Sequence, residues 1–466
     1  MKHLIATLCY LALIAQLSQA QTHVSGQIRT NTTWTKTNSP YIVDSKVEVA
    51  NNTSLTVDPG VTIIMKATNI VIYGNLTVNA TTQDPVRVIA DPKELSSIDF
   101  NEQAFSKTNK DTLQLQNMLF ENVGINFFKN GPSLMFSNNK IKGTTNVTWE
   151  AGLGESFIFN NNHVDAEFMI YMTGNTPIEP IEQIVIKNNK FENSIKHMAV
   201  LFLNCTSNKG IIIEENEFLN NGTAIRARGN KTTTITKNNF IGNHLCIDDK
   251  GQSASINVNH NIFMSNLKAI RVYSNDFDIQ HNSIYYNRQG ISLLENNTPT
   301  TYTPPNIIIE NNCIYENIEY SIRWGNTNNW SLGNNWWGTT DTNKIDSAII
   351  DFTEDFKLGK VSYGIMAKKD GSCKTITLPP TSIQEIKKNK DVSIYPNPYS
   401  NIVTFDFGTT SVLSISLYDI TGRELVSKTN PNTNVKFDTE NQPSGVYIYK
   451  ITFSDKTTQT GRLIKQ

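Results

Sequence analysis

From about Asn117 to Gly338 the chain keeps returning to one short phrase. It reads IKNNKFEN at 186–193, IEENEFLNN at 213–221, ITKNNFIGN at 235–243, VNHNIFMSN at 258–266, IQHNSIYYN at 279–287 and IENNCIYEN at 309–317. One asparagine per phrase serves as an anchor: Asn117, Asn139, Asn162, Asn189, Asn216, Asn238, Asn261, Asn282, Asn312 and Asn335, spaced 21 to 30 residues apart. A self-similar period of that length excludes an ordinary globular domain. It requires units that stack, each burying its apolar side chains against the next.

The apolar columns say what the unit is. Two residues after the anchors stand Leu119, Ile141, Val164, Phe191, Phe218, Phe240, Phe263, Ile284, Ile314 and Trp337. The position three before is also apolar, from Phe136 to Leu332, with Gln114 the one break; the position five before keeps the same parity through Leu134, Phe157, Ile184 and Ile211. Alternation of period two makes the units strands rather than helices. A corner asparagine repeated coil after coil can bond its amide to the next amide along the axis, as in cross-β stacks. Asparagine also tolerates the left-handed backbone of a tight corner. In these phrases the chain resembles the right-handed parallel β-helix family, the pectate-lyase-like solenoids. The resemblance implies an all-β fold over residues 21–367, capped at both ends, and leaves the activity open.

Residues 1–20 read as a signal peptide. Lys2 and His3 precede an apolar run from Leu4 to Ala15, and Ser18-Gln19-Ala20 offers small residues for cleavage. The run is too short to span a bilayer, and no later stretch is long enough to serve as a transmembrane anchor. Without Lys2 the exported chain carries 40 basic and 42 acidic residues, so no global signal for nucleic acid exists. Cys205, Cys246, Cys313 and Cys373 show irregular spacing and no metal-binding CxxC; Cys313, beside a ladder asparagine, reads as a small buried thiol.

Residues 41–90 open the solenoid, with a turn at Asp58-Pro59-Gly60 and Leu76 lying 21 residues after Leu55. LTVDPGVTI is similar to the opening coil of exported bacterial β-helix proteins, and the stretch before it, with Trp34, is expected to cap the apolar column. Residues 91–116 read as a loop or an imperfect coil. Turn-rich insertions fall at 173–180, 203–210 and 296–306. The NWWG element at 335–338 reads as a closing cap, with a sugar-stacking platform on Trp336 and Trp337 as the competing reading.

Residues 368–390 lose all periodicity and form a linker. From 391 to 466 short alternating strands separated by turns make a small β-sandwich. YPNP at 395–398, LYDITGREL at 417–425, GVYIYKI at 445–451 and the final GRLIKQ resemble the C-terminal sorting domain of the type IX secretion system. That resemblance implies a passage through the periplasm, the type IX secretion machinery and its sortase as partners, and a final place in the medium or on the outer cell surface.

The candidate site is an outward stripe. Ile225, Ile247, Ile270, Ile291 and Ile322 form a second column, and Arg226, Asp248, Arg271, Ser292 and Arg323 follow them. The next outward positions include Arg228, Lys250 and Tyr273. Arg226, Arg228, Asp248, Arg271, Tyr273 and Arg323 are thus the expected ligand-binding residues. Cations with an aromatic neighbour suit an extended acidic polysaccharide, whose anionic groups repeat along the chain. In the β-eliminating lyases of the resembled family, a basic residue removes the proton beside a carboxylate that Ca²⁺ or Arg neutralises. On that analogy Arg271 or Lys250 takes the basic role and Asp248 helps a calcium ion. Asp276 and Asp278 face outward roughly 7 Å apart, a separation an inverting glycosidase uses, but neighbouring coils bring no third carboxylate. The catalytic motifs of the family are present only as fragments, IDD at 247–249 and IRV at 270–272. No cofactor is required by the sequence. Two classes of function remain: a surface protein that binds polysaccharide, or a lyase or hydrolase with a diverged site.

Overall fold

The computed structural model describes residues 21–93, 95–101, 112–127, 133–150, 156–173, 182–196, 199–204, 209–227, 232–249, 255–273, 276–293, 306–366, 373, 392–396, 399–408, 410–419, 423–431, 433–454 and 458–465. The chain divides into two compact units, Met1–Thr375 and Ile376–Gln466.

The first unit is a parallel β-solenoid with three faces. Face one holds nine strands, among them Ser133–Ser137, Ser156–Asn160, Gln183–Lys187, Ile211–Glu214 and Asp276–Gln280. Face two follows with strands such as Lys190–Glu192, Glu217–Leu219 and Ile262–Met264. Face three carries Leu201–Asn204, Thr223–Ala227, Leu245–Asp249, Lys268–Val272, Gln289–Leu293 and Tyr320–Trp324. Each strand pairs in parallel with its equivalent one coil on, so like side chains stack. Phe191, Phe218, Phe240 and Phe263 make one such file, with centroids 4.7 to 5.1 Å apart. The offset stacking adds to the burial of each ring.

The asparagine ladder exists and is buried. Asn189 represents it: its backbone N–H and its Nδ2 both donate to Oδ1 of Asn216 at 2.9 Å, and Nδ2 also donates to the Phe159 carbonyl. Every polar atom of such an amide is satisfied, which is what permits it inside. Two details differ from the sequence reading. The left-handed residue is not the ladder asparagine but the one before it: Asn138, Asn161, Asn188, Glu215, Lys237, His260, His281 and Asn311 have φ of 55–58°. The ladder needs its amide pointing inward, and the corner preceding it takes the strained backbone. Asn117 is likewise a corner residue (φ 56°), and Met118 holds the ladder position, donating its N–H to Oδ1 of Asn139. Shifting that anchor by one removes the break at Gln114, because Leu115, not Gln114, aligns with Phe136.

A second ladder stands five residues further on, between faces two and three. Ser194, Asn221, Asn243, Asn266, Asn287 and Asn317 link coil to coil by the same bonds. The sequence signal was the asparagine that closes most of the repeated phrases. Its corner is Asn220, Gly242, Ser265, Tyr286 or Glu316 in turn, all at positive φ.

The ends add detail to the expectation. The stretch before residue 41 is itself a coil: Thr22–Ile28 pairs with Tyr41–Val49, and Thr32–Trp34 with Ser54–Val57. Trp34 is buried and stacks on Tyr41. Within 91–116, Ser97–Phe100 and Thr112–Gln116 are regular strands, and residues 102–111 between them lie outside the described residues. At the far end Trp337 is buried and donates its indole N–H to the Gly364 carbonyl, in keeping with the capping reading. Cys313 is not a free thiol; it forms a disulfide with Cys373. The pairing was illegible because 60 residues separate the two and Cys373 lies in the aperiodic linker. The rest of that linker and most of the three insertions lie outside the described residues.

Cys246 is free and wholly buried, and loss of hydration pushes its thiol well above its ordinary pKa. We expect iodoacetamide to leave Cys246 unmodified in the folded protein and to label it after unfolding, read by peptide mass. Rapid labelling of the native protein would place that coil open to solvent.

The second unit pairs a three-stranded antiparallel sheet, containing Ile402–Asp406, with a four-stranded one built on Val412–Tyr418 and Gly445–Phe453. It has its own core of Phe405, Phe437, Tyr449 and Ile451. Lys465, in the terminal motif, is buried with Nζ donating to the carbonyls of Thr439 and Gln442.

Candidate functional site

Face three positions the stripe through its inward isoleucines. Ile225, Ile247, Ile270, Ile291 and Ile322 are in register and fully buried, so the residue after each turns outward. Arg226, Asp248, Arg271, Ser292 and Arg323 therefore form a file spaced by about 4.8 Å.

Within it Asp248 is a counter-ion. The Arg226 Nε donates to its Oδ2 at 2.9 Å, and the Arg271 Nε and Nη2 donate to its Oδ1 at 2.9 and 2.8 Å. Asp248 is 0 % exposed while the two arginine side chains are about one-fifth exposed, 19 % and 20 %. Such charge-assisted, two-pronged contacts hold the guanidinium planes in place. The triad keeps a net positive charge. Arg271 also lies over the Tyr273 ring, 5.7 Å from its centroid.

Asp249 points the other way, as adjacent strand residues must, and its Oδ2 accepts the Tyr273 N–H at 2.9 Å. Arg228 and Lys250 lie outside the described residues. Ser292, between Arg271 and Arg323, is 2 % exposed and its Oγ has no hydrogen-bond partner.

Upstream the same file continues through residues the sequence reading missed. Phe202 pairs with Arg226, and Tyr171 with Phe202; the two rings stack at 5.0 Å and are half-buried. The column thus runs Tyr171, Phe202, Arg226, Asp248, Arg271, Ser292, Arg323. The signal was the LFL triplet at 201–203, obscured because insertions lengthen the coils on either side.

The described residues do not fit a calcium site of the lyase kind. Both Asp248 oxygens are taken by guanidinium groups, and among the described residues no three His, Cys, Asp or Glu side chains gather closely enough to hold a metal ion. Asp276 and Asp278 are bonded to Asn306 and Gln280, with Ser255, Asn257, Asn306 and Ile308 as their neighbours. Open recesses among the described residues lie elsewhere. One of about 360 Å³ is lined by His163, Lys190 and Glu217 on face two; another, of about 460 Å³, by Trp330, Ser331 and Lys360 at the closing coil.

A parallel solenoid followed by an antiparallel sandwich with its own core defines a two-part, β-helix protein. Residues 168–336 match the right handed beta helix region family, and residues 393–466 match the secretion system C-terminal sorting domain. The chain is a right-handed β-helix protein that carries a type IX sorting tail. The tail engages the type IX secretion machinery, and the protein is secreted or displayed at the cell surface. No curated protein matches the chain. Among the described residues no helix is long and apolar enough to cross a membrane.

Proposed function

We propose that the protein binds an extended acidic polysaccharide outside the cell, laid along face three parallel to the solenoid axis. The observation that carries this reading is the file from Tyr171 to Arg323, in which the half-buried rings of Tyr171 and Phe202 stand in line with the partly exposed Arg226, Arg271 and Arg323. Its aromatic end suits the apolar face of a sugar ring, and its arginine end suits carboxylate or sulfate groups. Because equivalent positions recur every ~4.8 Å, a polymer lying along the axis meets the aromatic rings and then the arginines over successive coils rather than in one pocket. The Arg226–Asp248–Arg271 triad supports binding over proton transfer. The Asp248 carboxylate has both oxygens engaged by guanidinium groups, and its work here is to hold them rigid.

The test is affinity electrophoresis of the exported protein in gels containing pectic, alginate or sulfated glycans. Retention by an acidic glycan is expected, falling as salt rises because the contacts are charged and partly exposed. Arg323→Gln is expected to weaken retention about tenfold, the loss of one charge-assisted contact worth roughly 1.4 kcal/mol. Phe202→Ala is expected to weaken it by a similar factor. Arg271→Ala is a poorer probe. It leaves the buried Asp248 half-paired, so about 3 kcal/mol of stability goes with it. Equal mobility with and without every acidic glycan, or retention indifferent to both Arg323→Gln and Phe202→Ala, would remove this reading.

A further inference from the structure

The file on face three repeats a pattern and then leaves it incomplete. From Arg226 to Arg323 it runs Arg, Asp, Arg, Ser, Arg, each residue in register with the next. In the first interval a carboxylate stands between two guanidinium groups and accepts from both. Arg226 donates to the Asp248 Oδ2 at 2.9 Å, and Arg271 to its Oδ1 at 2.9 and 2.8 Å. In the second interval arginines again flank the middle residue one coil away on either side, Arg271 and Arg323, but that residue is Ser292. Ser292 is the one small side chain in the file from Tyr171 to Arg323. The place that an acid fills between the first pair holds only a hydroxymethyl group between the second.

Ser292 itself bears the mark of an unfinished contact. The register turns it outward beside the buried Ile291, yet it is 2 % exposed, and its Oγ has no hydrogen-bond partner among the described residues. A buried hydroxyl is costly to leave unmet, so such a group calls for an explanation. Asp248 takes only the Nε and Nη2 edge of Arg271, so that guanidinium keeps N–H donors for a second acceptor. A hydroxyl donor with a guanidinium on either side is a donor set suited to an oxyanion.

We infer that Ser292, Arg271 and Arg323 form a discrete subsite for one anionic group of the glycan, a carboxylate or a sulfate. It is held there as Asp248 is held two coils earlier. The inference rests on face three being a polysaccharide-binding surface, and it fixes where one charged group of the polymer sits. Coils recur about every 4.8 Å, so the Arg271 and Arg323 backbones stand roughly 10 Å apart. The Arg226–Arg271 span is also two coils, and it accommodates the Asp248 carboxylate. A neutral sugar hydroxyl could meet Ser292 but would forgo the charge-assisted bonds.

The test supplies the missing acid from the chain itself. Ser292→Asp fills the subsite before the glycan arrives. In affinity electrophoresis of the exported full chain it is expected to weaken retention about tenfold, and Ser292→Ala about fivefold. Thr234→Asp adds the same charge on face one, between Ile212 and Asn257, and is expected to leave retention unchanged. Two gels separate the anions: alginate, charged only by carboxylates, and a sulfated galactan, charged only by sulfates. A loss confined to one gel assigns the subsite to that anion, and a loss on both assigns it to either.

Ser292→Ala also decides the matter if the aspartate disturbs the fold. It should not melt below the wild type, since its hydroxyl bonds nothing among the described residues. A lower melt would make the serine a structural group and remove the subsite. So would an equal loss of retention in Thr234→Asp, which would reduce the effect to net charge. Full retention of both Ser292 variants on both gels, while Arg323→Gln and Phe202→Ala still weaken it, overturns the subsite and leaves the binding reading standing. A wild type that neither gel retains overturns both.

Discussion

Removal of residues 393–466 is expected to abolish delivery, leaving a folded solenoid in the periplasm. The segment matches the sorting domain along its whole length and folds as a separate unit with its own core. Its loss therefore removes the export signal without opening the β-helix, whose strands pair only with one another among the described residues. The effect should be near total rather than graded, because the secretion machinery reads the tail and nothing in the solenoid replaces it. Fractionation, with protease added to intact cells, reads the outcome. The truncated protein should be protected and periplasmic, whereas the intact one should be accessible or released. Normal surface delivery of the truncated chain would show that residues 393–466 are an ordinary appendage.

The largest stability effect is expected from Asn238→Leu. The Asn238 Oδ1 accepts from both the backbone N–H and the Nδ2 of Asn216, and its Nδ2 donates to Oδ1 of Asn261 and to the Ile213 carbonyl. Leucine is of similar volume but takes the side-chain partner from the buried Asn216 N–H and Ile213 carbonyl, and removes one bond each from the Asn216 Nδ2 and Asn261 Oδ1. At about 1 kcal/mol or more for each orphaned group, the loss comes to roughly 3–5 kcal/mol. A fall in melting temperature of roughly 5–10 °C should follow. The residue just before it behaves oppositely. Lys237 sits at φ 56° on the exposed corner, so Lys237→Asn should be neutral or slightly stabilising, asparagine bearing that backbone with less strain. Circular dichroism melts of the two variants make the comparison. If Asn238→Leu melts within a degree of the wild type, the ladder is not what holds the coils in register.

The solenoid was legible in the sequence because its physics is periodic. A residue that must point inward in every coil repeats in type, and so does an amide that must meet the amide above it. Where the reading failed, the periodic rule had been applied one residue off or stopped too soon. Asn117 drew the anchor because it is an asparagine, although the ladder position falls on Met118, whose side chain cannot continue it. The stretch with Trp34, expected to cap the apolar column, pairs as the first coil, with Trp34 buried against Tyr41.

The site was legible in one dimension only. The isoleucine column placed Arg226, Asp248, Arg271 and Arg323 on one file, as the register bears out. Spacing could not show that Asp248 would be buried beneath its neighbours' guanidinium groups, since that depends on how side chains fold across coils. The disulfide is the extreme case. Cys373 follows the last repeat, so no period reports its partner.

The most direct test of the functional account sets binding against turnover in one experiment. The exported protein, with and without Ca²⁺, is incubated with the acidic glycan that retains it, and new unsaturated uronyl ends are followed by ultraviolet absorbance. The account predicts no rise in absorbance, alongside retention that Arg323→Gln weakens about tenfold. A steady rise that Arg271→Lys abolishes would contradict it and make face three the active surface of a lyase.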